Sequence, residues 1–242
     1  MGDTNRGDES NEAGYSEAVI AENASEAVLA ASADYSAQGV KLNFINHSND
    51  VNNSEIVIFA KNVATSFDEL AVAWTVIRYC GQGDNHPFTY PMTQTISASD
   101  SWGNYTAQQN APRGERFAMV LNNSGDQLVA QGPATSPREI QLLNALPKGA
   151  VNAQIYKDGR LFAIKTSIAP QQTAVFDFKP TIWIGVASQV EEGSVMNSAI
   201  VSYINTEISL LGIASADIVM TGGGAGPNAT PFVFTLENVV MG

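Results

Sequence analysis

Residues 151–168 read VNAQIYKDGRLFAIKTSI. Ala153, Ile155 and Lys157 alternate with Asn152, Gln154 and Tyr156, the two-residue period of a strand with one face buried. Asp158-Gly159 follows at once and is a preferred dipeptide for a two-residue type I′ turn, which needs positive φ at both positions. The apolar run from Leu161 then resumes a strand pattern. The stretch therefore predicts an antiparallel hairpin, and it sets the reading of the segments on either side.

Outward from this hairpin, short segments of the same character succeed one another: VKLNFIN (40–46), SEIVIFAKN (54–62), LAVAWTVIRY (70–79), RFAMVLNN (116–123), TAVFDFKP (173–180), TIWIGVAS (181–188), ADIVMTG (216–222) and PFVFTLENV (231–239). Breakers rich in Gly, Pro and Asn separate them, at 122–126, 147–149 and 222–227. Helical periods between strands, which a parallel α/β fold needs, are almost absent. The expectation is an all-β chain, with residues 39–242 forming an antiparallel β-sandwich or jelly-roll-like domain. Residues 193–212, GSVMNSAIVSYINTEISLLG, are ambiguous between helix and strand, and their Ile, Val, Tyr and Thr content favours strand.

The first 38 residues differ. Residues 1–14 are acidic and without periodicity, and a disordered tail is expected there. Residues 15–38 are Ala-rich, with neither Pro nor Gly from Tyr15 to Tyr35, and predict a helical arm. Ser-Glu-Ala-Val occurs at 16–19 and again at 25–28. Nine residues at ~100° each place the copies on opposite faces, so the arm has no continuous apolar stripe. Such a helix is marginal alone and needs a surface. Val19, Ile20, Val28 and Leu29 are the residues expected to meet it, on a neighbouring subunit or on the same chain.

Composition excludes several functions. Net charge is −12, of which −7 falls in the first 38 residues, and no basic stripe is present to neutralise phosphates. Nucleic acid and anionic membrane are not expected partners, and no apolar run is long enough to span a bilayer. A single cysteine forms no internal disulfide, and no Cys/His cluster has zinc spacing. No signal peptide is visible, which predicts a cytoplasmic protein, or one released without such a signal.

RYCGQGDNHPF (78–88) holds the lone Cys80 together with His86. A catalytic pair would need an imidazole held against an activated thiol. Gly81, Gly83, Asp84, Asn85 and Pro87 instead form a turn-making set, and Cys80 ends an apolar strand. SNDVNNSE (48–55), beside His47, offers oxygen ligands without the order of a calcium loop. The glycines at 222–226 lack the Lys and following helix of a phosphate loop. Neither metal nor cofactor is expected.

His86, Phe88, Tyr90, Trp102 and Tyr105 lie in polar, loop-like contexts and form a candidate patch for stacking on a glycan. Charged residues make up only 15% of the chain, which leaves strand edges poorly defended against pairing between copies. The function that follows is a non-catalytic structural protein, a homo-oligomer assembling through its β-domain and arm. The alternative is a lectin-like or toxin-like module that binds glycan or lipid, and an enzyme with dispersed residues ranks last.

Overall fold

In the computed structural model, residues 39–50, 52, 54–64 and 71–242 are described. The tail, and the arm with Val19, Ile20, Val28 and Leu29, lie outside them. Gly39–Gly242 is a compact unit of its own.

The described chain is all-β. Sixteen strands form four sheets of four, accompanied by one helix, α1 (Ser198–Tyr203), and a 3-10 turn at Gly226–Asn228. One sheet contains β1 (Val40–Asn46), β4 (Asn85–Tyr90), β15 (Ile213–Gly223) and β16 (Thr230–Met241), in the order β16-β15-β1-β4. A second runs β14-β13-β2-β3, from β2 (Glu55–Phe59), β3 (Thr75–Ile77), β13 (Thr181–Ala187) and β14 (Thr206–Ser209). A third runs β11-β10-β5-β6, from β5 (Thr95–Ser99), β6 (Gln109–Asn110), β10 (Val151–Lys157) and β11 (Arg160–Ile168). The fourth runs β12-β9-β7-β8, from β7 (Glu115–Asn122), β8 (Gly125–Pro133), β9 (Ile140–Asn144) and β12 (Thr173–Phe176). Pairing is antiparallel apart from β1 with β15 and β7 with β9.

The 151–168 hairpin forms as expected. Lys157 pairs with Arg160, and the two residues between them have φ of 52° at Asp158 and 71° at Gly159. A Cβ at Gly159 would meet nothing within 4 Å, so its requirement is purely one of backbone conformation. Gly159→Val is therefore expected to cost ~1–2 kcal/mol, the strain of a left-handed L-residue, and Gly159→Asn clearly less. Urea denaturation of the two variants checks this.

One hydrophobic core is shared by all four sheets. It joins Leu42 and Phe44 of β1, Ile56 and Ile58 of β2, Ile155 of β10 and Phe117 of β7. At its centre Trp74, 1% exposed, meets Phe88, Tyr90 and Phe162 edge-to-face, at centroid distances of 6.4, 5.6 and 5.8 Å. The opposite face of β2 is buried too. Val57 and Phe59 join Ala71, Ala73, Val201 and Ile204 in a smaller cluster. This explains why EIVIF shows no polar alternation, since both of its faces are covered.

Two local expectations are corrected. SAIVSYIN does not form a strand: residues 198–203 are helical, and strand resumes at 206–209. Asn197 caps the helix by accepting from the Ile200 amide at 2.9 Å, and Val201 covers the Val57–Phe59 face. Tertiary burial overrides the β-propensity of the segment. His86 and Pro87 do not sit in a turn but within β4, an edge strand, where a proline costs no ladder bond if its nitrogen faces outward.

Lys157 is the unusual core residue. It is 4% exposed, and its Nζ donates to the Pro91 carbonyl at 2.5 Å. Nζ lies 4.6 Å from the Tyr90 ring centre and 5.2 Å from that of Phe162. The rings and the carbonyl favour the ammonium, whereas burial, followed by the nearby Arg113 charge, disfavours it. Burial prevails, and the Lys157 pKa falls to about 7.

Candidate functional site

Cys80 is a free, half-buried thiol before the turn, and His86 is an exposed residue within β4. The Cys80 carbonyl accepts from Asn46 Nδ2 at 2.7 Å, and the Gly81 amide donates to Asp84 Oδ2 at 3.0 Å, which closes the turn. Burial, then the Asp84 charge, pushes the thiol pKa up, the reverse of what a nucleophile needs. Cys80 is accordingly expected to react with iodoacetamide at pH 8 several-fold more slowly than free cysteine, and Cys80→Ala to leave the fold and any assembly intact. Alkylation kinetics and light scattering check the two parts.

In the loop after His47, Asp50 is occupied by its own chain. Burial raises its pKa, but hydrogen bonds from Ser54 and Asn52 outweigh this and hold it below the usual carboxylate range. The amide of Ser54 donates to Oδ2 at 2.6 Å and that of Asn52 to Oδ1 at 2.9 Å. No group of three or more His, Cys, Asp or Glu is placed to hold a metal ion among the described residues. The glycine run is likewise explained by packing. A Cβ on Gly222, at φ 88°, would lie 2.1 Å from the Pro231 carbonyl oxygen, so glycine there lets β15 turn closely into β16.

The five aromatic and imidazole residues of the expected patch are split between two places. His86, Phe88 and Tyr90 alternate along β4, on a face that sinks progressively into the core. His86 is exposed, and Phe88 is half-buried against Trp74. Tyr90 is 1% exposed and cannot meet a ligand. Trp102 and Tyr105 belong to the loop after β5 and are 89% and 67% exposed. Two clefts flank this loop, and neither is lined by a β4 residue.

The loop is tied by Asp100. Its Oδ1 accepts from the Trp102 and Asn104 amides at 2.8 and 2.9 Å, and its Oδ2 from Asn104 Nδ2 at 2.7 Å. Those bonds, the Asn104 side chain's first, lower the pKa of this exposed carboxyl. One cleft, of about 360 Å³, lies between Trp102 and Leu121, Asp126 and Lys148. The other, of about 400 Å³, holds Tyr105 and shares Asp100 and Asp126 with the first. The far wall is pinned by the fully buried Asn144, whose Nδ2 donates to the carbonyls of Gly149 and Ile168 at 2.9 and 2.8 Å. Leu121 and Asp126 face each other at the end of the β7–β8 hairpin and Lys148 comes from the loop before β10, so only the tertiary fold brings the three to Trp102.

A second surface is the outer edge of β16. This strand has twelve residues and pairs with β15 alone. Val233, Val239, Val240 and Met241 are 42–66% exposed, and Leu211 in the adjoining turn is 73% exposed. Natural edges are shielded by lysines, prolines, bulges or shortness. Here Pro231 stands at the start, and a bulge with Asn238 at φ 49° lies near the end. Between them Val233–Glu237 runs in unbroken register with Asp217–Thr221, without a lysine.

No protein-family model matches the chain, and no curated protein or solved structure is significantly similar to it. No described helix is long and apolar enough to cross a membrane.

Proposed function

We propose that this is a non-catalytic structural protein that self-assembles, with copies pairing along β16 and the N-terminal arm reinforcing the contact. The observation that carries the reading is the long, apolar, lysine-free outer edge of β16. Unpaired N–H and C=O groups there form a template for another strand. An antiparallel copy centred on Thr235 would set Glu237 opposite Val233, which keeps the two carboxylates apart. Val233, Val239 and Met241 would lose solvent in the process, at about 25 cal/mol per Å² of apolar area. The sandwich or jelly-roll arrangement is part of the same proposal, supported by the single core shared among the four sheets.

The arm enters from its sequence. An Ala-rich helix that is marginal alone is stabilised by a partner surface, and its acidic residues would restrain association at low salt. Light scattering and negative-stain microscopy of the full chain, in low and high salt, test the proposal. An oligomer favoured by added salt is expected, and smaller or weaker assemblies when the chain starts at Gly39. Strictly monomeric protein at tens of micromolar in both salts would overturn it.

A further inference from the structure

We propose that the paired clefts around Trp102 and Tyr105 form a binding site for a neutral oligosaccharide, seating two adjacent pyranose rings. The site is separate from the β16 edge and does not depend on self-assembly.

The Trp102 indole is 89% exposed and lines a cleft, which leaves its apolar face open for a ring to stack on. Its loop is held by three hydrogen bonds to one carboxylate, and the facing wall by Asn144, so both walls stand ready before a ligand arrives. Little ordering is then needed on binding. Each cleft has one exposed ring, and each is of a size to take a single sugar residue. Because Asp100 and Asp126 line both, one ligand can continue from the first cleft to the second.

The polar groups choose the ligand class. Asp100 is consumed by its own loop and acts as a clamp. Asp126 and Lys148 are exposed, the first an acceptor of hydroxyl protons and the second a donor to hydroxyl oxygens. A purely apolar partner, such as a hydrophobic peptide, would strip water from these groups and return nothing. A pyranose supplies an apolar C–H face for the indole and hydroxyls for the charges. With two carboxylates and one ammonium lining the Trp102 cleft, an uncharged sugar fits better than an anionic one.

The test is titration of the full chain with cellotriose, chitotriose, maltotriose and mannotriose, read by calorimetry and by acrylamide quenching of tryptophan. Trp74 is buried, so the exposed Trp102 is readily reached by the quencher. At least one trisaccharide is expected to bind and to shield Trp102. Trp102→Ala, at an exposed position, should fold normally and weaken binding at least about tenfold. Tyr105→Ala should weaken the trisaccharide more than its component monosaccharide. Three outcomes overturn the proposal: no binding up to about 10 mM of any of the four, unchanged affinity in Trp102→Ala, or a Trp102→Ala variant that alters only oligomeric state. The last would mark the surface as a protein contact.

Discussion

Replacing Thr235 by lysine, alone or with Val233→Lys, is expected to weaken self-association at least about a hundredfold, equivalent to ~2.7 kcal/mol. Thr235 and Val233 are exposed on β16, so neither change disturbs the core. In the proposed two-fold pairing the two copies of residue 235 face each other. Two ammonium groups placed directly opposite are destabilising across a strand pair, and a lysine on an edge is also how natural sheets discourage pairing. Thr235→Val, which keeps a β-branched side chain and adds no charge, should leave association intact or strengthen it. Sedimentation velocity across a concentration series reads the parent and the three variants, and circular dichroism confirms their fold. If Thr235→Lys associates as tightly as the parent, the β16 interface is wrong, whatever else holds the copies together.

Lys157 should make the protein more stable at pH 9–10 than at pH 6.5. The folded-state pKa is about 7, against an ordinary lysine value of 10.5. Below pH 7 both folded and unfolded chains carry the proton, and the folded state bears the full cost of a buried ammonium. Between about 7 and 10 the unfolded chain holds more protons, so stability rises with pH. The rise is on the order of 4 kcal/mol if the whole shift is expressed. Above pH 10 the sign reverses through Tyr90. Burial, opposed by the Arg113 charge, raises its phenol pKa to about 12, so the unfolded chain loses that proton first. A maximum near pH 10 follows. Lys157→Met, similar in length and uncharged, should abolish the rise and be the more stable protein at pH 6.5. Thermal melts of both proteins from pH 6 to 11 decide this, and a flat profile for the parent would show that the ammonium is tolerated.

The strands were largely legible because their sequences obey the period of a half-buried sheet. VKLNFIN, RFAMVLNN and TIWIGVAS fall on β1, β7 and β13 within a residue or so. Asp158-Gly159 announced its turn because only two positive φ angles in succession close so short a hairpin. β4 was hidden by Pro87, which reads as a breaker unless the strand is known to lie at an edge. α1 was hidden because β-branched residues at 200 and 201 prefer strand, and only the need to cover Val57 and Phe59 selects helix. Of the expected patch, Trp102 and Tyr105 are exposed, as their polar surroundings imply. Tyr90 was misplaced because a tyrosine beside prolines looks like loop until the alternation of β4 carries it under Trp74. Edge status of β16 depends on strand order, which no local pattern encodes.

The pairing of β1 with β15 also sets a timetable for the newborn chain. Lys41 lies beside Ser215. At synthesis rates of about 5–20 residues per second, the roughly 175 residues between them take ~10–35 s to emerge from the ribosome. Through that interval Val40, Leu42 and Phe44 belong to a strand whose inner neighbour does not yet exist. β4 arrives much sooner and can cover one flank, but the other stays open until β15 has emerged. β1 is thus among the last of the described strands to be secured, and the cell must keep it from sticking to its neighbours on the same message.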